Sequence, residues 1–209
     1  MSVRFWNRTA KKYAQQPIRD EKNYQKKLTL TRKYFTSDSV ALEFGSGTGS
    51  TALLHAPYVA HYTAIDSSPA MTEIAEQKRC AQGIENVSFQ CGEVYDHSDG
   101  SAASLDAVLA LNVLHLMPDH ERAIDFSANL LKPGGVFVSS TVCAELSVWN
   151  PLRWILTVAG KTGLIPKLVF IPQSQLRALI EAAGLTIVEE FEQQTGFGPF
   201  TALFLIARR

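Results

Sequence analysis

The chain has 209 residues, 46% of them hydrophobic, which predicts a single globular domain over residues 1–209 with a full apolar core. Its 20 Lys and Arg balance its 20 Asp and Glu, and this zero net charge argues against nucleic acid as a partner because it leaves no general positive field. The three cysteines, Cys80, Cys91 and Cys143, lack paired or metal-ligand spacing, so we expect reduced thiols and no bound metal. No apolar run reaches membrane-spanning length, and we expect a cytoplasmic protein without stable membrane insertion.

The first part of the chain is predicted to be helical. Residues 3–35 form two helices separated near Pro17, since Trp6 and Tyr13 recur at helical spacing before the proline. We therefore expect residues 1–36 to form an N-terminal helical cap.

From residue 40 onward, strands and helices are predicted to alternate. Short apolar runs that end at turn residues indicate buried parallel strands. They lie at residues 40–44, 62–65, 87–91, 105–111 and 136–142. Helices are expected between them, the clearest beginning at the cap-and-proline signal Ser67-Ser68-Pro69.

The end of the chain departs from this alternation. After a helix over residues 173–183, strands are predicted at 185–191 and 201–207. The link between them, residues 192–200, is too short for a helical crossover, so these strands should pair antiparallel. The fold class is therefore α/β, with a doubly wound, mostly parallel seven-stranded sheet and a C-terminal antiparallel strand pair.

A glycine loop follows the first strand. Gly45, Gly47 and Gly49 let the backbone turn sharply and let a ligand approach it, and the amides at the start of the next helix can bind an anionic group. Nicotinamide enzymes use a similar turn, but their third glycine would stand at position 50, which is Ser50. The register of the loop disfavours a nicotinamide oxidoreductase.

Two acidic residues accompany the loop. Asp66 ends the second strand, where a carboxylate can accept hydrogen bonds from both hydroxyls of a ribose; its alternative role is to cap the following helix. Glu43 directly precedes the loop and is expected to orient it and a cationic ligand group; its alternative role is that of an ordinary acid at a strand end.

Five segments in order now carry a family resemblance: VALEFGSGTG (40–49), AIDSSPAM (64–71), QCGE (90–93), LDAVL (105–109) and LKPGG (131–135). With these segments the chain resembles the class I S-adenosylmethionine-dependent methyltransferases, in particular the small bacterial group related to quinone-biosynthesis methyltransferases. The resemblance implies a Rossmann-like methyltransferase fold, in which the antiparallel pair ends the sheet, and S-adenosylmethionine as the cofactor.

The resemblance also assigns cofactor-binding roles by position. Gly45, Ser46 and Gly47 should wrap the methionine part of the cofactor, and Asp66 should hold its ribose. Asn112, at the end of the fourth strand, should touch the amino-acid end.

Four further residues are implied around the adenine. Ser67 and Met71 should border the ring, although Met71 also fits ordinary helix packing. Glu93 stands where the family usually has Asp and should accept a hydrogen bond from the adenine amino group, beside the Val94 amide. The longer Glu93 side chain is a departure from the pattern.

Methyl transfer from a sulfonium mainly needs an aligned acceptor, with a base only where the acceptor must lose a proton. His115, just past the fourth strand, is the candidate catalytic residue; alternatively it packs beneath a lid. The remaining histidines are predicted at the surface: His55, His61, His97 and His120.

The insertion at residues 145–172 is strongly apolar and is expected to form a lid over the acceptor site. Trp149 is the candidate substrate-binding residue of this segment, and Tyr13 is its counterpart from the N-terminal cap. In the alternative, the lid simply packs on the sheet. Three cations also permit transient contact with a membrane surface: Arg153, Lys161 and Lys167.

These features predict an enzyme, a methyltransferase that moves a methyl group from S-adenosylmethionine to a small, hydrophobic acceptor. The alternative is a non-catalytic S-adenosylmethionine-binding scaffold or regulator. The acceptor atom and the oligomeric state have no sequence signal.

Overall fold

The structure is a computed structural model that describes residues 2–97, 103–147, 149–196 and 198–209. Seven helices occur in these ranges: α1 Val3–Ala14, α2 Glu21–Arg32, α3 Ser50–His55, α4 Pro69–Gln82, α5 His120–Leu130, α6 Pro151–Thr162 and α7 Gln173–Ala182. The strands are β1 Val40–Phe44, β2 His61–Asp66, β3 Val87–Cys91, β4 Leu105–Leu111, β5 Leu131–Ala144, β6 Thr186–Gln194 and β7 Phe200–Arg208.

The strands form a sheet in the order β3-β2-β1-β4-β5-β7-β6. β1 to β5 pair parallel with one another, whereas β7 lies antiparallel between β5 and β6. The predicted fold class, with its C-terminal antiparallel pair, is confirmed. β2 and β3 follow one another on one side of β1, whereas β4 and β5 lie on its other side. The order of the strands therefore reverses between β1 and β4, and the crevice outside the carboxyl ends of these two strands is where open α/β sheets bind ligands.

Local sequence signals explain the helix boundaries around this crevice. The predicted break near Pro17 is present, and α2 begins after Asp20, whose Oδ1 accepts a hydrogen bond from the Asn23 backbone amide at 3.0 Å. α4 begins at Pro69 after Ser68, whose hydroxyl accepts from the Met71 amide at 3.3 Å. These caps satisfy amides that a helix end leaves without partners.

The core lies on both faces of the sheet, as the apolar strands predict. Leu42 and Phe44 of β1 point into one buried cluster, while Ala41 points into the other. Glu43 is the exception in this strand, because it is charged in water yet fully enclosed. A buried acid at the end of a central strand marks the crevice as a functional candidate.

β5 differs from its prediction, since it begins at Leu131 rather than at residue 136. Leu131 pairs with Leu105, and the register then shifts before Ala107 pairs with Val136. A bulge of this kind accommodates Pro133, Gly134 and Gly135 within the strand. The boundary was wrong because the bulge depends on pairing with β4.

Candidate functional site

A cavity of about 520 Å³ lies at the carboxyl ends of β1, β2 and β4. Its floor contains the loop 45–48, Asp66 and Asn112, and its cover comes from Trp6 and Tyr13 of α1 and from the segment that leads into α2. Small-molecule sites in proteins occupy about 300–1,000 Å³, so the cavity can hold a nucleoside-sized ligand.

The glycine loop is shaped by two different demands. Gly45 has a φ of +67°, and a Cβ atom there would lie 2.3 Å from Cγ2 of Val113, so a larger residue would clash with the core. Gly47 has a φ of +55° and faces the cavity, where the nearest atom to an added Cβ is Cε1 of Tyr13 at 3.8 Å. The first glycine therefore allows close packing, and the second keeps the backbone open to a ligand.

Asp66 ties the loop to the end of β2. Its Oδ2 accepts a hydrogen bond from the Gly47 amide at 2.8 Å, and its Oδ1 accepts from the Ser68 amide at 2.8 Å. Burial raises the pKa of the Asp66 carboxyl, and the two amide hydrogen bonds counteract this rise. Each carboxylate oxygen retains a further lone pair, so the residue can still accept from a ligand hydroxyl.

Glu43 lies behind the loop and also lines the cavity. The Tyr62 hydroxyl donates a hydrogen bond to its Oε2 at 3.0 Å. Burial raises the pKa of Glu43 to about 8; the Tyr62 hydrogen bond lowers it and the Asp66 charge raises it further. The carboxyl is therefore poised to ionise when a cation arrives beside it.

Lys27 of α2 is a cavity residue that sequence reasoning missed. Its Nζ donates to the Ser140 hydroxyl at 2.9 Å, and the Ser140 carbonyl accepts from the Asn112 amide at 2.6 Å. Burial lowers the pKa of Lys27, and the charge of Asp20 partly restores it. Among the described residues, Lys27 has no carboxylate within ion-pair distance.

The helical spacing could have found Lys27. It shares one face of α2 with Tyr24 and Thr31, at intervals of three and four residues, and all three line the cavity. Gln193 and Thr195, at the end of β6, also line it and carried no sequence signal.

The structure divides the four residues expected around the adenine. Ser67 and Met71 line the cavity, whereas Glu93 and Val94 do not. The Glu93 side chain instead caps the short turn that follows it, in a reciprocal arrangement with Asp96. Val94 is buried in the core.

His115 lies outside the cavity lining, in the short turn Leu114–Leu116. Its carbonyl accepts from the Val169 amide at 2.8 Å, and its Nδ1 is buried without a partner in the part of the chain that the structure describes. Burial lowers the pKa of His115 to about 4, so the ring is neutral at neutral pH. The structure thus places the candidate base in a packed position outside the cavity lining.

The cover of the cavity differs from the expected lid. None of the described residues of 145–172 lines the cavity, and Trp149 is 88% exposed. The segment packs beside α1, where Nη2 of Arg8 donates to the Gly163 carbonyl at 2.7 Å. Tyr13, in contrast, does line the cavity.

The prediction of surface histidines was wrong for His55, His97 and His120, which are buried. His55 packs between the rings of Phe35 and Tyr62, with centroid distances of 5.1 and 6.1 Å. Burial, with a smaller contribution from the charge of Arg32, lowers its pKa to about 3. An aromatic neighbourhood distant in sequence decides this burial, which local polarity does not reveal.

Comparison with known proteins identifies the family of the chain. A methyltransferase domain family matches residues 13–190 of the chain. The chain belongs to this methyltransferase domain family. The expected family resemblance is thereby confirmed, and the matched range contains the loop, both acidic residues and Lys27.

Two named relatives are similar to the chain over most of its length. The ubiquinone biosynthesis O-methyltransferase of Xylella fastidiosa (strain 9a5c) is 29% identical over 164 residues, covering 75% of this chain and 64% of that protein. The enzyme of the same name from Xanthomonas axonopodis pv. citri (strain 306) is 31% identical over 154 residues, covering 70% of this chain and 62% of that protein. The chain thus spans less than two thirds of the length of these relatives.

Solved structures share the fold at lower identity. The YcgJ protein from Bacillus subtilis superposes with a TM-score of 0.71 at 18% identity, covering 88% of this chain and 98% of that one. A geranyl diphosphate methyltransferase in complex with S-adenosylmethionine gives 0.71 at 13% identity, covering 87% of this chain and 84% of that one. These likenesses confirm the predicted Rossmann-like methyltransferase fold.

Proposed function

We propose that this protein binds S-adenosylmethionine in the cavity and transfers its methyl group to a small acceptor. The observation that carries the proposal is Asp66, a carboxylate at the end of β2 that is tied to the Gly47 amide and faces the cavity. Its position suits the two hydroxyls of a ribose, and the family match over residues 13–190 supports the same ligand.

The charges of the lining fit the charged groups of such a cofactor. The acids Glu43 and Asp66 and the Lys27 ammonium all line the cavity. S-adenosylmethionine carries a sulfonium, an α-ammonium and a carboxylate. We propose that Glu43 favours the cationic groups, that Lys27 and the Asn112 region receive the carboxylate, and that Ser67 and Met71 border the adenine.

The chain's own contribution to transfer is binding, alignment and exclusion of water. When bound, the cofactor supplies an activated methyl group on its sulfonium. Trp6 and Tyr13 cover the cavity and shield the reacting atoms, while the rigid loop at Gly45 and Gly47 holds the donor side still. Alignment of this kind contributes much of the rate in a displacement reaction. Because His115 lies outside the lining, no step is assigned to it.

The proposed acceptor is a small molecule with an apolar body and a hydroxyl group as methyl acceptor. The names of the Xylella and Xanthomonas relatives, which are O-methyltransferases, support oxygen as the acceptor atom. The lining offers apolar contacts from Ile18, Val142 and Ala202, and polar contacts from Tyr24 and Gln193. Mixed contacts suit a ring that carries both an alkyl substituent and a hydroxyl group.

The proposal is tested by calorimetry with S-adenosylmethionine, followed by transfer of a labelled methyl group to a panel of acceptors. We expect binding of the cofactor and of its demethylated product, and transfer to an alkyl-substituted catechol rather than to amines or thiols. Absence of binding would overturn the proposal. Tight binding without turnover across the panel would support the scaffold alternative instead.

Replacement of Lys27 should weaken binding of the cofactor's carboxylate end. We expect Lys27→Met to lower the affinity for S-adenosylmethionine about tenfold, because a hydrogen bond between charged groups contributes roughly 1.5–3 kcal/mol. Decarboxylated S-adenosylmethionine should bind the variant and the unaltered protein equally, and calorimetry measures both. The control is Lys22→Met, which changes an exposed lysine on the same helix. Equal losses for the two ligands would contradict the assignment.

A further inference from the structure

α6 and the residues beside it expose large apolar side chains. Val158 shares one face of the helix with Trp154 and Ile155, since it follows them by four and three residues. With two neighbours they form what we call the α6 patch: Trp149 (88% exposed), Trp154 (64%), Ile155 (63%), Val158 (55%) and Leu164 (74%). Clustered exposure of this kind marks an interaction surface.

The patch is exposed although α6 is already packed through its other face. An added Cβ at Gly160 would lie 3.2 Å from Cα of Lys167, so the helix closely approaches the segment that follows it. Nη1 of Arg153 donates to the Leu146 carbonyl at 2.8 Å, and its guanidinium lies 5.2 Å from the centre of the Phe170 ring. The helix is therefore fixed, with the patch facing outward.

The sequence around the patch is purely basic. Residues 149–172 contain Arg153, Lys161 and Lys167 but neither Asp nor Glu. Residues 2–19 likewise contain no acidic residue, and their cations are Arg4, Arg8, Lys11, Lys12 and Arg19. In a chain of zero net charge, these two segments concentrate positive charge.

The two basic segments are contiguous in the structure. Nη2 of Arg8 donates to the Gly163 carbonyl at 2.7 Å, and the Lys167 amide donates to the Ser2 hydroxyl at 3.0 Å. Arg4, Arg8 and Lys11 are spaced by four and three residues and so share one face of α1. This basic face borders the α6 patch at Gly163, next to Leu164.

We propose that the α6 patch and the basic face of α1 dock onto the surface of an anionic lipid bilayer. Tryptophan and aliphatic side chains enter the boundary between headgroups and acyl chains, and the surrounding Lys and Arg attract anionic headgroups. Docking is peripheral, since none of the helices in the described ranges is both long and apolar enough to cross a membrane.

The cations around the α6 patch favour an anionic bilayer, rather than a second copy of the chain, as the partner. A two-fold contact through the patch would bring its surrounding cations, including Lys161, against the same cations of the partner. Such a contact places like charges together, whereas an anionic surface neutralises them. Docking also involves the helix that covers the cavity, because α1 supplies Trp6 and Tyr13 to the lining. The bilayer surface thus lies next to the cover of the cavity, although lipid binding does not require methyl transfer.

The test is co-sedimentation of the full chain with vesicles, without any methyl donor, so that its result does not depend on the proposed activity. We expect binding to phosphatidylglycerol-containing vesicles at low salt, with a blue shift of tryptophan fluorescence, and loss of binding at high salt or with pure phosphatidylcholine. The double change Trp154→Ser with Ile155→Ser should weaken binding at least about tenfold. Lys161→Glu should weaken it at least about fivefold.

Matched controls change exposed residues elsewhere. Leu54→Ser with Val188→Ser removes apolar surface from α3 and β6, and Lys22→Glu reverses a charge on α2. These controls should bind like the unaltered chain. The proposal is overturned if the chain does not bind anionic vesicles at low salt, or if the α6 variants bind as well as the controls. It is also overturned if ultracentrifugation shows a dimer that Trp154→Ser abolishes while vesicle binding is absent.

Discussion

Asp66→Ala is expected to lower the affinity for S-adenosylmethionine by about 100-fold or more. The change removes the carboxylate proposed to accept from two ribose hydroxyls, and hydrogen bonds to a charged group contribute roughly 1.5–3 kcal/mol each, while about 1.4 kcal/mol is tenfold in affinity. It also removes the acceptor that holds the Gly47 amide at 2.8 Å, so the loop loses part of its fixed shape. Calorimetry with the demethylated cofactor measures the effect.

The loss can be separated from unfolding with two further variants. Asp66→Asn keeps one acceptor oxygen and should bind with an affinity between those of the Ala variant and the unaltered chain. Asp125→Ala removes an exposed acid of α5, outside the cavity lining, and should leave binding unchanged. Thermal unfolding of each variant reports the fold. An Asp66→Ala protein that stays folded and binds within threefold of the control would contradict the ribose assignment.

The sheet and the meeting of the glycine loop with Asp66 in the cavity lining were predictable because their signals are local. A strand that ends at Gly45 and another that ends at Asp66 must bring these residues to one edge, once the strands are parallel neighbours. The rest of the topology follows from the short link between β6 and β7, because a link of this length allows only antiparallel pairing. Each of these inferences uses spacing and turn chemistry within a few residues.

The rest of the cavity lining was not predictable in the same way, because it depends on how distant segments pack. Lys27 enters the cavity through the orientation of α2, and Gln193 enters through the end of an edge strand. Residues 145–172 read as a lid by their apolar content, yet the structure packs them beside α1 and leaves Trp149 exposed. Apolar composition predicts that a segment contacts something apolar, without telling whether that is a substrate, the core or a bilayer.

Glu43→Gln is expected to stabilise the ligand-free protein at alkaline pH. Burial raises the Glu43 pKa from its ordinary 4.5 to about 8, so the folded state binds a proton that the unfolded state has released between these values. Stability from this group is fully present below pH 4.5 and is lost as the pH rises to about 8, at about 1.4 kcal/mol per pH unit. Because Gln cannot ionise, we expect the free energy of unfolding of the Glu43→Gln variant to exceed that of the unaltered chain by on the order of 4 kcal/mol at pH about 9.

Urea unfolding at both ends of this pH range measures the difference in free energy of unfolding between the Gln variant and the unaltered chain. Glu181→Gln, an exposed change on α7, is the control and should show no such gap. A gap that does not depend on pH would contradict the buried, protonated state of Glu43.

The same proton links stability to binding. If a cationic cofactor group binds beside Glu43, the carboxyl must ionise, and binding near neutral pH should release a proton from the unaltered chain. The measured binding enthalpy should then vary with the ionisation enthalpy of the buffer. This variation should be weaker for Glu43→Gln, because the variant has no proton to release at this position. Ionised Glu43 would thus destabilise the ligand-free protein at alkaline pH and would also favour binding of a positively charged donor. Equal buffer dependence in the two proteins would contradict the ionisation of Glu43 on binding.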